Sequence, residues 1–302
     1  MVIGLDSNLI KMKKRSFITI ILLMAVIGFI FVTFYQCKTI PKKNIGLQLY
    51  SIRDSIKKDV PGAIAKVSKM GYKFVEPAGY KDGKFYGMEP AVFKVLLEAN
   101  KMTMLSSHVK HVVPDSINYA ETMAWWDVCI DAHVVAGAKY IVQSSMGRKA
   151  YENFDELKAY CVYFNEVGEK CNAKGLRFGY HNHDKEISTQ FDGQTIYDFM
   201  LENTDPAKVM FEMDLAWTVV GGKNPVDYFN KYPGRFELWH IRDDAEVGAS
   251  GMMDYASIWA AAAKSGLQYG IVEVAKFNFD EYTSCQKSLD FLNTAPYVVM
   301  PK

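Results

Sequence analysis

Eight strand-like segments alternate with helix-like ones between Ile45 and Leu292, and this alternation constrains the fold more than any single motif. The strands are short apolar runs: Ile45–Tyr50, Tyr72–Glu76, Thr103–His108, Lys139–Gln143, a fifth opening at Leu176, then Lys208–Asp214, Phe236–Ile241 and Tyr269–Val274. Helical patterns come after them at Val60–Met70, Pro90 to about Asn100, Ile117–Ala136, Phe154–Ala173, Thr195–Glu202, Pro225–Lys231, Tyr255–Lys264 and Glu281–Leu292. Gly71, Gly175 and Gly266 stand just past helix ends and Pro90 in a first turn, the placements these residues favour. Strict alternation argues for a parallel sheet with crossover helices, and eight repeats for its closure into a (βα)8 TIM barrel. A doubly wound open sheet is the alternative. It would carry a Gly-rich turn after its first strand, and Leu49-Tyr50-Ser51-Ile52-Arg53-Asp54 is not one.

In such a barrel the functional groups gather where the strands end. Strand two ends in Glu76, strand three in His108, and strand five in Tyr180-His181-Asn182-His183-Asp184. Side chains alternate along a strand, so His181 and His183 point one way while Tyr180 and Asn182 point the other. Strand six carries Glu212 and Asp214 on one face, strand seven ends in His240 and Arg242, and strand eight carries Glu273. Carboxylates and imidazoles in apolar strands are costly unless paired or ligated. A divalent cation with mixed nitrogen and oxygen ligands is one common explanation for the cluster; a metal-free hydrogen-bonded network is the other. Glu212, placed deeper, reads equally as structural or functional. His111 and His133 fall in a loop and a helix, where surface positions are expected. Trp239 should face the helices as core, and Trp125-Trp126 should serve packing or an interface rather than a ligand platform.

The first 40 residues read separately. Lys11, Lys13, Lys14 and Arg15 precede an uncharged apolar run of 19 residues, Phe17–Tyr35. That is close to the roughly 20 residues that span a bilayer. Positive flank, apolar run and polar exit form a signal peptide or membrane anchor with a short linker, leaving residues 41–302 as the barrel. Cys37 invites a lipoprotein reading, although Phe34-Tyr35-Gln36 lacks the small residues a lipobox prefers. The expected location is extracytoplasmic, either membrane-anchored through this segment or secreted. A net charge of +1 argues against a nucleic-acid partner. The five cysteines show no zinc-ribbon or disulfide spacing. Cys161 and Cys171 share one expected helix, about 15 Å apart, too far to bridge.

Five segments then carry a family likeness, in order: Ile45-Gly46-Leu47-Gln48-Leu49-Tyr50-Ser51, Tyr180-His181-Asn182-His183-Asp184, Phe211-Glu212-Met213-Asp214-Leu215-Ala216-Trp217, His240-Ile241-Arg242-Asp243 and Val272-Glu273. Together they resemble the xylose isomerase-like TIM barrel superfamily, in its sugar phosphate isomerase/epimerase branch, over nearly everything from Asn44 to Leu292. The resemblance implies a divalent metal (manganese, zinc, cobalt or iron) held by His181, Asp214, His240 and Glu273. It implies a sugar or keto-sugar isomerase or epimerase working through an enediolate, with Glu273 and His183 as catalytic groups. Glu76, His108, Trp217 and Arg242 become substrate contacts. Two departures stand out. Many epimerases of the superfamily have a glutamate where this chain has His181, and a histidine near Trp217. With one strand-end glutamate retained, a lyase or dehydratase acting on a keto-sugar or glycoside is the alternative. A non-catalytic surface sugar-binding protein is another. A multi-metal nuclease is disfavoured by the near-neutral charge.

Overall fold

The computed structural model describes residues 43–301. The apolar run, Cys37 and the reading of residues 1–40 lie outside the described residues. Parallel strands form one sheet, and each is followed by helix, as the alternation predicts. The strands, in chain order, are Ile45–Gln48, Phe74–Glu76, a split third strand (Thr103–Met104 and His108–Val109), Tyr140–Gln143, Arg177–His181, Val209–Asp214, Leu238–Ile241 and Tyr269–Val272. Strand one pairs with strands two and eight, and pairing then runs through seven, six, five and four. The two pieces of strand three sit at opposite ends of this order. Leu105, between them, joins those ends: its N–H donates to Val75 O at 3.1 Å, while Lys139 and Tyr140 N–H donate to its carbonyl. The result is a TIM-barrel-like α/β fold. The strand expected over Thr103–His108 is broken at Leu105-Ser106-Ser107.

Strands buried on both faces explain why the sequence showed continuous apolar runs rather than alternation. Helix starts are set by side-chain caps. Asp59 accepts from Gly62 N–H at 2.9 Å, and Asn153 accepts from Glu156 N–H at 3.0 Å. Gly71 closes Val60–Met70 at φ 111°, a left-handed conformation that costs glycine little. Short elements escaped the sequence pattern: hairpins at Tyr80–Phe85 and Gln190–Thr195, and the helix Leu215–Val220. The expected helix Tyr255–Lys264 is divided into Tyr255–Ala260 and Ala262–Ser265.

One close approach makes a clean test of packing. Gly168 lies in the helix Phe154–Ala173, and a Cβ there would sit 2.3 Å from the backbone carbonyl oxygen of Lys208, which leads into strand six. Backbone cannot swing aside as a side-chain tip can. Gly168→Ala should therefore cost about 1–3 kcal/mol as overpacking, against the usual helical gain from alanine. Urea denaturation would show it as a lowered midpoint at unchanged slope, and an unchanged midpoint would mean that the helix shifts freely.

Candidate functional site

Each side chain at the strand ends is aimed by the register of its strand and by the turn or helix that succeeds it. Cross-strand register sets His181 beside Glu212 and Asp214 beside His240. Asp214 ends strand six and also caps the helix Leu215–Val220, with its Oδ1 accepting Trp217 N–H at 2.7 Å. Its own N–H donates to Asn182 Oδ1 at 3.0 Å, so Asn182, turned away from the two histidines as alternation required, ties strands five and six together. The other carboxylate oxygen, Oδ2, is buried and accepts no hydrogen bond.

His181, Asp214, His240 and Glu273 each offer a donor atom, all within 4.8 Å of one another. Two further carboxylates lie beneath. Glu212 Oε2 is 2.7 Å from His108 Nε2, 3.1 Å from His181 Nδ1 and 3.1 Å from His240 Nε2. Glu76 Oε1 is 2.7 Å from His240 Nε2 and accepts from Gln48 Nε2 at 2.7 Å; Ser106 Oγ donates to its other oxygen. His181 thus has Nδ1 held by a carboxylate. His240 has Nε2 held from below and Nδ1 turned to Glu273, 3.3 Å away. A buried carboxylate on the far nitrogen fixes the tautomer and ring plane of a metal-ligating imidazole.

The electrostatics reflect this density of charge. Burial raises Asp214 above its usual range, offset in part by the Arg242 guanidinium. Burial also pushes Glu212 up, and the nearby Glu76 charge adds to it. Burial would raise Glu273 too, but the hydrogen bond and charge of His240, then Arg242, outweigh it and hold the carboxyl low, at about 2. His181 lies far below the ordinary histidine range through burial and its cationic neighbours. Burial opposes a proton on His240, and Glu212, Glu273 and Glu76 overcome that opposition. A site whose carboxylates favour positive charge so strongly suits a cation.

A cavity opens above the group, lined by His108, His181, His183, Trp217, Arg242 and Glu273. His183 faces it with His181, their ring centres 5.0 Å apart, as the strand geometry required. The Arg242 guanidinium lies 4.3 Å from the Trp217 ring centre, so one face of that indole is already covered. Two expectations need correction. Glu76 was placed among the substrate contacts, but it is fully buried and does not line the cavity. His133 was placed on the surface, but it is fully buried, with Nδ1 2.6 Å from Cys129 O and Nε2 2.5 Å from Ser107 Oγ. A helical histidine four residues after an apolar cysteine reads as surface only if the inward face is drawn too narrowly. Trp239 and Trp126 are core, as expected, and Trp125 is half-buried. Sequence reasoning gave Glu186 no part. It is buried and accepts from Tyr151 and Tyr180 hydroxyls and from His183 N–H at 3.0 Å, fixing the turn that presents His183. A glutamate three residues after a turn is the one signal that pointed there.

The chain belongs to the xylose isomerase-like TIM barrel family, whose profile matches residues 64–295. It is an enzyme of that family, and its relatives include inosose dehydratases and sugar isomerases/epimerases. A sugar phosphate isomerase/epimerase from Parabacteroides distasonis is 34% identical with a TM-score of 0.79, over 85% of this chain and 100% of that one. An inosose dehydratase from Lacticaseibacillus casei is 25% identical over 276 residues, 78% of this chain and 90% of that protein. A protein named IolI, described with a bound zinc atom, superposes with a TM-score of 0.64 over 85% of this chain and 98% of that one. At 12% identity that last likeness is one of fold.

Proposed function

We propose that the protein abstracts a proton from the carbon beside a sugar carbonyl, as a divalent-metal-dependent isomerase or epimerase of a keto-sugar. The observation that carries this reading is the convergence of His181, Asp214, His240 and Glu273, with one Asp214 oxygen buried without a hydrogen bond and met only by the Arg242 guanidinium at 3.6 Å. A buried carboxylate oxygen that accepts no hydrogen bond suits direct ligation, and a cation between these four side chains supplies it. Two imidazoles and two carboxylates suit zinc, manganese, cobalt or iron better than calcium. When bound, the ion acts as a Lewis acid toward the substrate carbonyl, making the neighbouring C–H more acidic.

The chain's own groups do the rest. Glu273 is the carboxylate at the cavity wall and takes the proton; His183, facing it from strand five's end, returns or donates one. Arg242, backed by Trp217, holds a substrate oxygen. A second reading, loss of water from the sugar, draws on one observation: Glu273 alone among the cavity-lining residues is a carboxylate, and its neighbours are imidazoles, which suit protonation of a leaving hydroxyl. The curated relative from Lacticaseibacillus casei agrees with it. Keto-sugars incubated with the enzyme in deuterated water distinguish the two. Deuterium at the carbon beside the carbonyl with mass otherwise unchanged supports isomerisation, while a product lighter by one water supports dehydration. Turnover with neither result sinks both.

Metal content tests the premise. The purified protein should carry one divalent ion per chain, and Asp214→Ala should lose most of it with the fold intact. Full stoichiometry in that variant, read by elemental analysis, would remove Asp214 from the site.

A further inference from the structure

The cavity is larger than its reactive half needs. It measures about 740 Å³, within the roughly 300–1,000 Å³ that encloses a drug-sized ligand. The four converging donors all come from strands five to eight, which are neighbours in the sheet. The opposite side of the mouth is furnished differently. Tyr50 follows strand one, Tyr80 follows strand two, Lys110 follows strand three, and Ser144 and Ser145 follow strand four. Trp217 follows strand six. Three strands separate six from two in either direction round the barrel, so Trp217 and Tyr80 stand across the mouth from each other.

Tyr50, at the edge of this side next to strand eight, is its exposed aromatic, at 47%. One face of its ring is taken by the Arg53 guanidinium, 4.8 Å from the ring centre and 5.0 Å from that of Phe277. Arg53 is itself tied to the carbonyls of Tyr50 and Ala275, each at 3.2 Å. The ring is thus held from behind. The π face of an aromatic ring is its negative face and attracts the positive C–H edge of a sugar ring, whose hydroxyls then point outward. Polar partners for those hydroxyls are present: Lys110 makes no ion pair among the described residues, and Ser144 Oγ, donating to Val109 O at 3.2 Å, keeps its acceptor capacity. None of these groups is needed by the reacting half of the cavity.

We propose that the strand one-to-four side is a second subsite, for a ring covalently joined to the reacting sugar, so that the substrate is a glycoside of at least two rings. This rests on the reading that the reacting sugar sits at the strand five-to-eight side. Calorimetric titration of the metal-loaded full-length protein tests it, with glucose, galactose and xylose each compared with its phenyl β-glycoside and with cellobiose, lactose or xylobiose. In at least one series the two-ring ligands should bind about tenfold more tightly than the monosaccharide. Tyr50→Ala should remove that advantage with metal content unchanged, and Tyr50→Trp, which keeps an aromatic face, should retain it. Equal affinities throughout, no binding by any glycoside, or an undiminished advantage in Tyr50→Ala would each overturn the proposal. The deuterium-exchange experiment fails separately: exchange without glycoside preference overturns the subsite alone, and preference without exchange overturns the reaction alone.

Discussion

Glu273→Gln should lower deuterium exchange by about 10²–10⁴-fold, the usual contribution of a positioned acid–base group. Glutamine keeps the shape and one oxygen of the side chain, so the cavity wall and the contacts with His240 and Arg242 can persist. It removes the carboxylate that this reading assigns to accept the proton from carbon, the one carboxylate among the cavity-lining residues. The wild-type carboxyl, held at about 2, is ionised at neutral pH but weak as a base. Its work therefore depends on a carbon proton made more acidic by the bound cation. Because Glu273 also belongs to the donor group, metal content must be measured on the same sample. Exchange lost with metal retained assigns the base; exchange lost with the metal assigns a ligand. Exchange at the wild-type rate would leave Glu273 with neither role.

The site was largely legible because barrel chemistry sits at strand ends, and strand ends can be read from apolar runs. That reading collects His181, Asp214, His240 and Glu273 together with five other polar strand-end groups, and it is the family resemblance that singles out these four, which the structure brings together. Depth was less legible. Glu212, two residues before the end of strand six, reads as deeper, but Glu76 ends its strand like a rim residue, and nothing in a linear pattern says that it is buried beneath His240 rather than beside the substrate. That depends on where each strand sits in register with its neighbours. Strand three shows the same limit from the backbone side. Leu105-Ser106-Ser107 interrupts it, and the interruption turns Ser106 toward Glu76 and Ser107 toward His133. The helix Leu215–Val220 was hidden for another reason: its cap, Asp214, was already claimed as a strand-end carboxylate. One residue does both jobs.

The largest effect on stability is expected at Trp239, one residue before His240 and on the opposite face of strand seven. Its indole stacks on Phe229 with ring centres 4.9 Å apart and planes within 3°, and meets Trp259 edge-on at 5.3 Å. All of this is buried. Trp239→Ala would empty a large volume between strand seven and the helix Pro225–Lys231 and should cost about 3–5 kcal/mol. Trp239→Phe should cost much less than its loss of volume implies. The indole N–H is buried without an acceptor, and deleting it relieves a penalty of about 1–3 kcal/mol while keeping an aromatic ring for the stack. Chemical denaturation of the two variants gives the comparison. Because strand seven carries His240 on its other face, the alanine variant should also hold its divalent ion more weakly, and the phenylalanine variant should hold it as the wild type does. A Trp239→Ala protein within about 1 kcal/mol of wild type would mean that the helix collapses onto the strand and that this stack is not what seats His240.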